Sequence, residues 1–147
     1  MKWLYNKKEI NEISDLPLNS FGFIYQTTHI PTGKKYIGKK SLMYNKKKKL
    51  TKKELLEYAG KKGRTPTHIR VQKESDWKTY YGSHHLIKEY LKGGFEHELK
   101  REIIAIATDK KHLTYLECKH QFALGVLESS EYLNDNILGK FFDKDFV

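Results

Sequence analysis

Two short apolar runs with aromatic ends, residues 21–28 and 34–38, stand either side of His29-Ile30-Pro31-Thr32-Gly33. Their aromatic and β-branched content, with a five-residue connection holding Pro and Gly, predicts the two strands of a hairpin. Ahead of them Trp3, Leu4, Ile10, Ile13 and Leu16 recur among charged residues until Pro17 and Asn19-Ser20. That weak amphipathic pattern predicts a short helical or irregular cover over residues 1–19. Thr51-Lys52-Lys53-Glu54 has the form of a capping box and predicts a helix running to about Gly60. Residues 61–73 are basic and poor in large apolar side chains, the composition of an exposed loop or arm. A further helix is predicted from Gly82-Ser83, with Leu86, Ile87, Tyr90 and Leu91 as its apolar stripe and Gly93-Gly94 as its end. Residues 99–107, with Ile103, Ile104 and Ile106, predict a buried third strand. Leu113, Leu116, His120, Leu124 and Leu127 fall at helical spacing and predict the longest amphipathic helix over residues 110–127. Phe141, Phe142 and Phe146 are expected to fold back onto the domain.

The order β, β, α, α, β, α predicts an α+β fold, a small and mainly antiparallel three-stranded sheet flanked by helices. A chain of 147 residues suits one core, so residues 1–147 are expected to form a single domain with a basic insertion or loop around 43–74.

Charge changes the picture most. Lys and Arg number 28 against 18 Asp and Glu, a formal net charge of +10. Clustered cations favour polyanions because binding releases phosphate counterions, so nucleic acid is the expected partner. No apolar stretch reaches the roughly 20 residues of a membrane span, which argues against a membrane. The first seven residues lack the apolar centre of a signal peptide, and a cytoplasmic location is expected, in a host cell if the gene is a phage's. Cys118 is a lone cysteine without zinc-finger spacing around it, which fits a reducing compartment.

The candidate chemistry gathers on the hairpin. Tyr25 and Tyr36 lie eleven residues apart on its two strands, followed by Lys39 and Lys40. Lys39 and Lys40, together with a bound cation, are expected to favour the phenolate and lower the pKa of the phenols beside them. Glu117 sits next to the inward stripe of the long helix, where a carboxylate is costly unless paired or metal-bound. Its bland reading is an ion pair with a lysine, and Glu117 with His120 also has the spacing used in di-iron bundles. Asn134 lies in an Asn-Asp-Asn cluster that reads equally well as a turn. In the aromatic stretch of residues 75–85, His84 is a candidate phosphate or leaving-group contact or, alternatively, a helix cap. Tyr80 or Tyr81 is a candidate backbone contact, and Trp77 a core residue.

Phe23-Ile24-Tyr25 and Tyr36-Ile37-Gly38, followed by Glu117 on a later helix and then Asn134, resemble the GIY-YIG nuclease family. The stand-alone homing-type endonucleases of phages are the most similar group. The resemblance implies a metal-dependent endonuclease that hydrolyses phosphodiesters of double-stranded DNA, with one Mg²⁺ or Mn²⁺ per active site on Glu117. Tyr25 and Tyr36 would then activate or orient water and phosphate, and Asn134 would contact phosphate or hold the helix that bears Glu117. His84 joins them as a catalytic candidate. The chain departs from the family where an arginine is expected soon after the second tyrosine motif. Counting back from Ser83 favours Arg70 and counting forward from Tyr36 reaches Lys46. Arg64 with His68 has the right internal spacing but encloses Pro66. Arg70 is the preferred catalytic candidate, and the motif glycine is displaced because Phe23 separates Gly22 from Ile24. Lys39, Lys40, Lys46, Lys47, Lys48, Lys49 and Arg64 are the expected DNA-binding cations. One site cuts one strand, so a homo-oligomer is compatible with the sequence but not readable from it. The competing reading is a non-catalytic basic nucleic-acid-binding protein, which would have no use for an inward Glu117.

Overall fold

The computed structural model describes residues 1–60 and 63–146. The predicted hairpin forms as β3, Gly22–His29, and β4, Lys34–Ser41, paired antiparallel with Tyr25 opposite Gly38 and Thr27 opposite Tyr36. Gly33 closes the connection with φ of 71°, and its N–H donates to the His29 carbonyl at 2.8 Å. The predicted third strand forms too, as β7, Leu99–Ala107, antiparallel to β3 on the side away from β4. A bulge at Ile24/Tyr25 leaves Ile104 of β7 without a partner and turns it outward.

The sheet is wider than expected. Residues 1–19 are not helical: β1, Trp3–Tyr5, and β2, Lys8–Ile10, form a hairpin, and residues 13–15 add one 3₁₀ turn. β1 runs parallel to β7 with Trp3 beside Arg101, giving a five-stranded, mostly antiparallel sheet in the order β2-β1-β7-β3-β4 in place of three strands. Asn6 and Lys7 take left-handed backbone, φ 49° and 66°. That is the conformation of the tight hairpin turn usually marked by Asn-Gly. With lysine second, the turn signal is hidden.

Two compact units make up the chain. The first is Met1–Leu42 together with the residues from Asp76 onward, and the second is Met43–Ser75. In the first, α3, Lys110–Ala123, covers one face of the sheet, where Ile24, Ile37, Leu113, Val126, Leu127 and Ile137 form a core. Asp109 caps it by accepting the His112 N–H at 2.8 Å. On the opposite face Trp3, Phe23, Tyr25 and Trp77 meet edge to face and are essentially unexposed. α2, His85–Lys92, adds Ile87 to Tyr81 and Leu99 on this side. The tail folds back as anticipated. β8, Asn136–Ile137, pairs with β9, Phe141–Phe142, and Phe141 meets Phe122 of α3 at 5.7 Å.

The second unit is a two-stranded ribbon with one helix. β5, Met43–Lys49, pairs antiparallel with β6, His68–Glu74, and α1, Lys52–Glu57, is opened by the Thr51/Glu54 capping box. The expected loop of residues 61–73 is therefore a strand from His68 on. Its only large aliphatics are Ile69 and Val71, so the alternation of one half-buried face is sparse among charges. Lys61 and Lys62 lie outside the described residues.

Candidate active site

Alternation along a strand puts Phe23, Tyr25 and Thr27 on one face of the sheet, with Tyr36, Gly38 and Lys40 of β4 beside them. The Tyr25 ring lies over Gly38. A Cβ built on that glycine would stand 2.5 Å from the Tyr25 hydroxyl, which only hydrogen at this position avoids. Tyr25 and Tyr36 come together with ring centroids 6.2 Å apart, and Tyr80 meets Tyr25 edge-on at 5.8 Å. Gly82, at φ 138°, passes the chain close to both tyrosines, with its Cβ position 3.5 Å from each.

The segment of residues 77–84 that carries these contacts is tied to the sheet by backbone carbonyls. The buried Arg101 guanidinium donates to the carbonyls of Met1, Lys78 and Tyr80 at 2.5–3.0 Å and stacks against Trp3 and Tyr81. Thr27 Oγ1 donates to the Tyr81 carbonyl at 2.6 Å, and Trp3 Nε1 to that of Trp77 at 2.6 Å. Ser83 is thereby held with its Oγ 2.9 Å from the Tyr36 hydroxyl. His84 caps α2, its Nδ1 accepting the Leu86 N–H at 3.2 Å, while its ring lies 5.8 Å from Tyr36 and 4.3 Å from His85. Burial, then the neighbouring His85, lowers its pKa.

β4 is the edge of the sheet, and its outward backbone groups are met one after another. Lys35 N–H donates to the Glu131 carbonyl at 2.9 Å, and the Lys35 carbonyl accepts from Leu133 N–H at 2.6 Å. At Ile37 the partner is the Asn134 side chain, which accepts from Ile37 N–H at 3.0 Å and donates to its carbonyl at 2.8 Å. That carbonyl also accepts from Gln121 Nε2 of α3 at 3.1 Å. Two residues further on, the Lys39 N–H points to the Glu117 carboxylate. Asn134 is 4% exposed with both amide atoms on backbone, a position that holds β4 and, through Gln121, the helix bearing Glu117.

Tyr36, Lys39, Glu117, Asn134, Asp135 and Asn136 line one cavity of about 250 Å³ around this edge. The edge is what allows it. Tyr36 and Lys39 face opposite sides of the sheet, yet only at its rim do both sides open into one space. Lys39 Nζ lies 3.9 Å from Glu117 and donates to Thr114 at 3.0 Å. Burial raises the Glu117 pKa, opposed by the Lys39 charge and its backbone N–H.

The lysines do not depress the phenols as the sequence suggested. Burial raises Tyr36 above the usual 10, partly offset by the Ser83 hydrogen bond. Burial, with the neighbouring Tyr80 and Tyr36, raises Tyr25 well above it. The lysine charges are spent elsewhere. Lys40 pairs with Asp76 at 2.5 Å and sits over the Tyr80 ring at 4.1 Å, and Lys39 faces Glu117.

Of the predicted residues, the first unit thus brings Tyr25, Tyr36, Lys39, Lys40, His84, Glu117 and Asn134 to one end of the β3–β4 hairpin and its edge. Arg70, Arg64, Lys46, Lys47, Lys48 and Lys49 belong to the second unit, with Arg70 directly across from Lys47. Ser83, Gln121 and Asp135 were missed, and Tyr80, expected against the DNA backbone, packs on Tyr25. Ser83 had a signal in the Gly82-Ser83 helix start, and Gln121 in its place one turn after Glu117. Among the described residues no three His, Cys, Asp or Glu side chains converge as a cation cage. Glu117 and Asp135 nevertheless both line the cavity, Asp135 Oδ1 accepting from Asn136 Nδ2 at 2.7 Å, and carboxylates are the donors that suit a hard ion keeping most of its water.

The family model described as "Putative endonuclease segE, GIY-YIG domain" matches residues 3–137. No curated protein and no solved structure matches the chain. Among the described residues no helix is long and apolar enough to cross a membrane.

Proposed function

The chain belongs to the GIY-YIG endonuclease family, whose domain is that of a nuclease acting on DNA, and on that footing we propose a divalent-metal-dependent endonuclease that hydrolyses phosphodiesters of double-stranded DNA, of the phage homing or restriction kind. The observation that carries the reading is the shared cavity at the β4 edge, which Tyr36 and Glu117 both line, close enough for the Glu117 charge to raise the Tyr36 pKa. A phosphate-binding module gains nothing from a half-buried carboxylate that repels its ligand. A hydrolase needs one to bring a cation to the phosphate.

In hydrolysis a water oxygen joins phosphorus, the bond to the leaving oxygen breaks, and protons pass from the one to the other. Glu117, assisted by Asp135, would hold the ion, which when bound supplies counter-charge and a more acidic water. The chain's own residues do the rest. Tyr36 exchanges a proton with the reacting oxygen, and Ser83 supports its phenolate by donating to it. Tyr25, more deeply buried and held protonated by its surroundings, positions Tyr36 and donates without ionising. Lys39, which lines the cavity, lends a point charge to the phosphate without the bidentate fork of the family's arginine, while Lys40 stays on Asp76. His84 stays largely uncharged at neutral pH beside Tyr36 and is suited to hydrogen-bond the scissile phosphate's oxygens. Asn134 positions β4 and α3.

The test is nicking of supercoiled plasmid with Mg²⁺ or Mn²⁺ against EDTA. Metal-dependent nicking by the parent and a loss of roughly 100-fold or more in Glu117→Ala and Tyr36→Phe are expected. Equal cutting by Glu117→Ala would sink the proposal.

A further inference from the structure

The β5–β6 ribbon has two unlike faces. Ile69 and Val71 of β6 are half-buried, and Tyr44, Lys46 and Lys48 of β5 share their side, with Lys48 reaching Glu54 of α1 at 4.0 Å. The other face carries Asn45, Lys47 and Lys49 opposite Gln72, Arg70 and His68, all exposed. Among the described residues Asn45, Lys47, Lys49, Arg70 and Gln72 make no side-chain hydrogen bond or ion pair. Lys47 and Arg70 stand directly across from one another. Like charges in that position repel, so the face stores an electrostatic cost that a partner rich in acceptors would relieve.

We propose that this face, Asn45, Lys47, Lys49, His68, Arg70 and Gln72, enters the major groove of B-form DNA and reads its base edges. The inference deepens the nuclease reading and rests on it for the purpose of the contact, since it assigns the choice of target. A two-stranded ribbon fits a groove about 12 Å wide. Seven paired residues give roughly 20 Å of ribbon, the length of about six base pairs. The residue types match the code of that groove. Asn45 and Gln72, cross-strand neighbours, have the paired donor and acceptor that adenine presents to, and Arg70 with Lys47 the donors that guanine N7 and O6 accept. At the far end a hollow of about 320 Å³ lined by Lys47, Arg64, Thr65, Pro66, Thr67 and His68 offers cations and hydroxyls to the flanking phosphates. A-form RNA is excluded because its major groove is too deep and narrow for side chains to read.

The experiment uses the full chain carrying Glu117→Gln, so that binding is read without cutting. Duplexes selected from a random pool are methylated with dimethyl sulfate and rebound. Methylation of guanine N7, in the major groove, is expected to weaken binding about tenfold or more, and methylation of adenine N3, in the minor groove, to leave it unchanged. Adding Asn45→Ala and Gln72→Ala should erase about tenfold or more of the preference for the selected duplex over a scrambled one. Lys46→Ala with Lys48→Ala, on the other face, removes two cations and should weaken binding to the selected and scrambled duplexes alike, leaving the ratio between them unchanged. Interference confined to adenine N3, a retained preference in the Asn45/Gln72 variant, equal affinity for the matching RNA duplex, or no duplex binding would each overturn the proposal. The interference pattern needs no substitution in the ribbon, so a folding defect cannot decide the outcome. Cleavage by the native chain is scored separately. Interference without any metal-dependent cutting would remove the nuclease reading and leave the groove reading standing, whereas cutting with an unchanged site preference in Asn45→Ala/Gln72→Ala would do the reverse.

Discussion

The Tyr25 hydroxyl occupies the space into which any side chain on Gly38 would grow, 2.5 Å from where its Cβ would start. The second motif's glycine is thus the floor on which the first motif's tyrosine rests, and the two motifs form one packed object. Gly38→Ala would push against a ring that Phe23, Trp3 and Tyr80 already hold. Overpacking of this kind costs about 1–3 kcal/mol. Thermal unfolding should report that loss, and nicking activity should fall further because Tyr25 and Tyr36 are displaced together. In a Tyr25→Leu background the alanine has less to displace and should cost less. Additive effects of the two changes would contradict the contact.

Ser83 offers a sharper probe of the tyrosines. Its hydrogen bond lowers the Tyr36 pKa, against burial and the nearby Tyr80, Glu117 and Asp135, which raise it. Ser83→Ala should therefore move the ionisation of Tyr36 to higher pH. If Tyr36 takes the proton, the rise of cleavage rate with pH should shift in the same direction, with rates restored at high pH. The difference between ultraviolet titrations of the parent and of Tyr36→Phe would isolate the ionisation of Tyr36 from the other nine of the chain's 10 tyrosines, and a pH profile unmoved by Ser83→Ala would remove Tyr36 from the proton transfer.

Glu117 sets function against stability. Burial raises its pKa in the folded chain above its unfolded value. The folded form then holds a proton that the unfolded form has released. This contribution to stability is full below the unfolded pKa, near 4.5, and is lost as pH rises through the raised folded value. At neutral pH the ionised carboxylate is a liability, only partly offset by Lys39. Glu117→Gln should unfold at a higher temperature than the parent at pH 7, with the difference shrinking on acidification, while metal-dependent cutting is abolished. A lower melting temperature for Glu117→Gln at pH 7 would contradict the sign.

Much of the site was legible because local pattern and local structure agree. The Tyr25/Tyr36 hairpin has a Pro/Gly turn, and Glu117 lies on a long helix with Asp109 as its cap. What was hidden depends on partners distant in sequence. Trp3 becomes a strand residue by lying parallel to Arg101, 98 positions away, and no periodicity in residues 1–19 announces that. Arg101 reads as one more surface cation but is 4% exposed, because three carbonyls and two aromatic rings receive it. The phenols' raised pKa values escaped for the same reason, since the sequence places Lys39 and Lys40 nearby but not the Asp76 and Glu117 that engage them. The second ribbon strand was obscured by its own polarity. A strand that presents Arg70 and Gln72 outward has too few apolar positions to look like one.

Arg101 also fixes the segment on which Ser83 and Tyr80 depend. Its guanidinium satisfies the carbonyls of Met1, Lys78 and Tyr80 at once, a fork that lysine cannot reproduce. Arg101→Met keeps most of the volume but removes the guanidinium's donors from those carbonyls, of which that of Met1 still accepts from the Tyr81 hydroxyl at 3.3 Å, at roughly 1–3 kcal/mol for each one that stays buried and unsatisfied. The melting temperature should drop steeply. Arg101→Lys should recover only part of it. Because the same carbonyls tether residues 78–80 ahead of Ser83, hydrogen exchange at residues 79–83 should quicken in Arg101→Lys even below the melting transition, ahead of exchange in α3. Uniform quickening across the sheet and α3 would mean that Arg101 supports the fold as a whole and gives the Ser83 segment no particular hold.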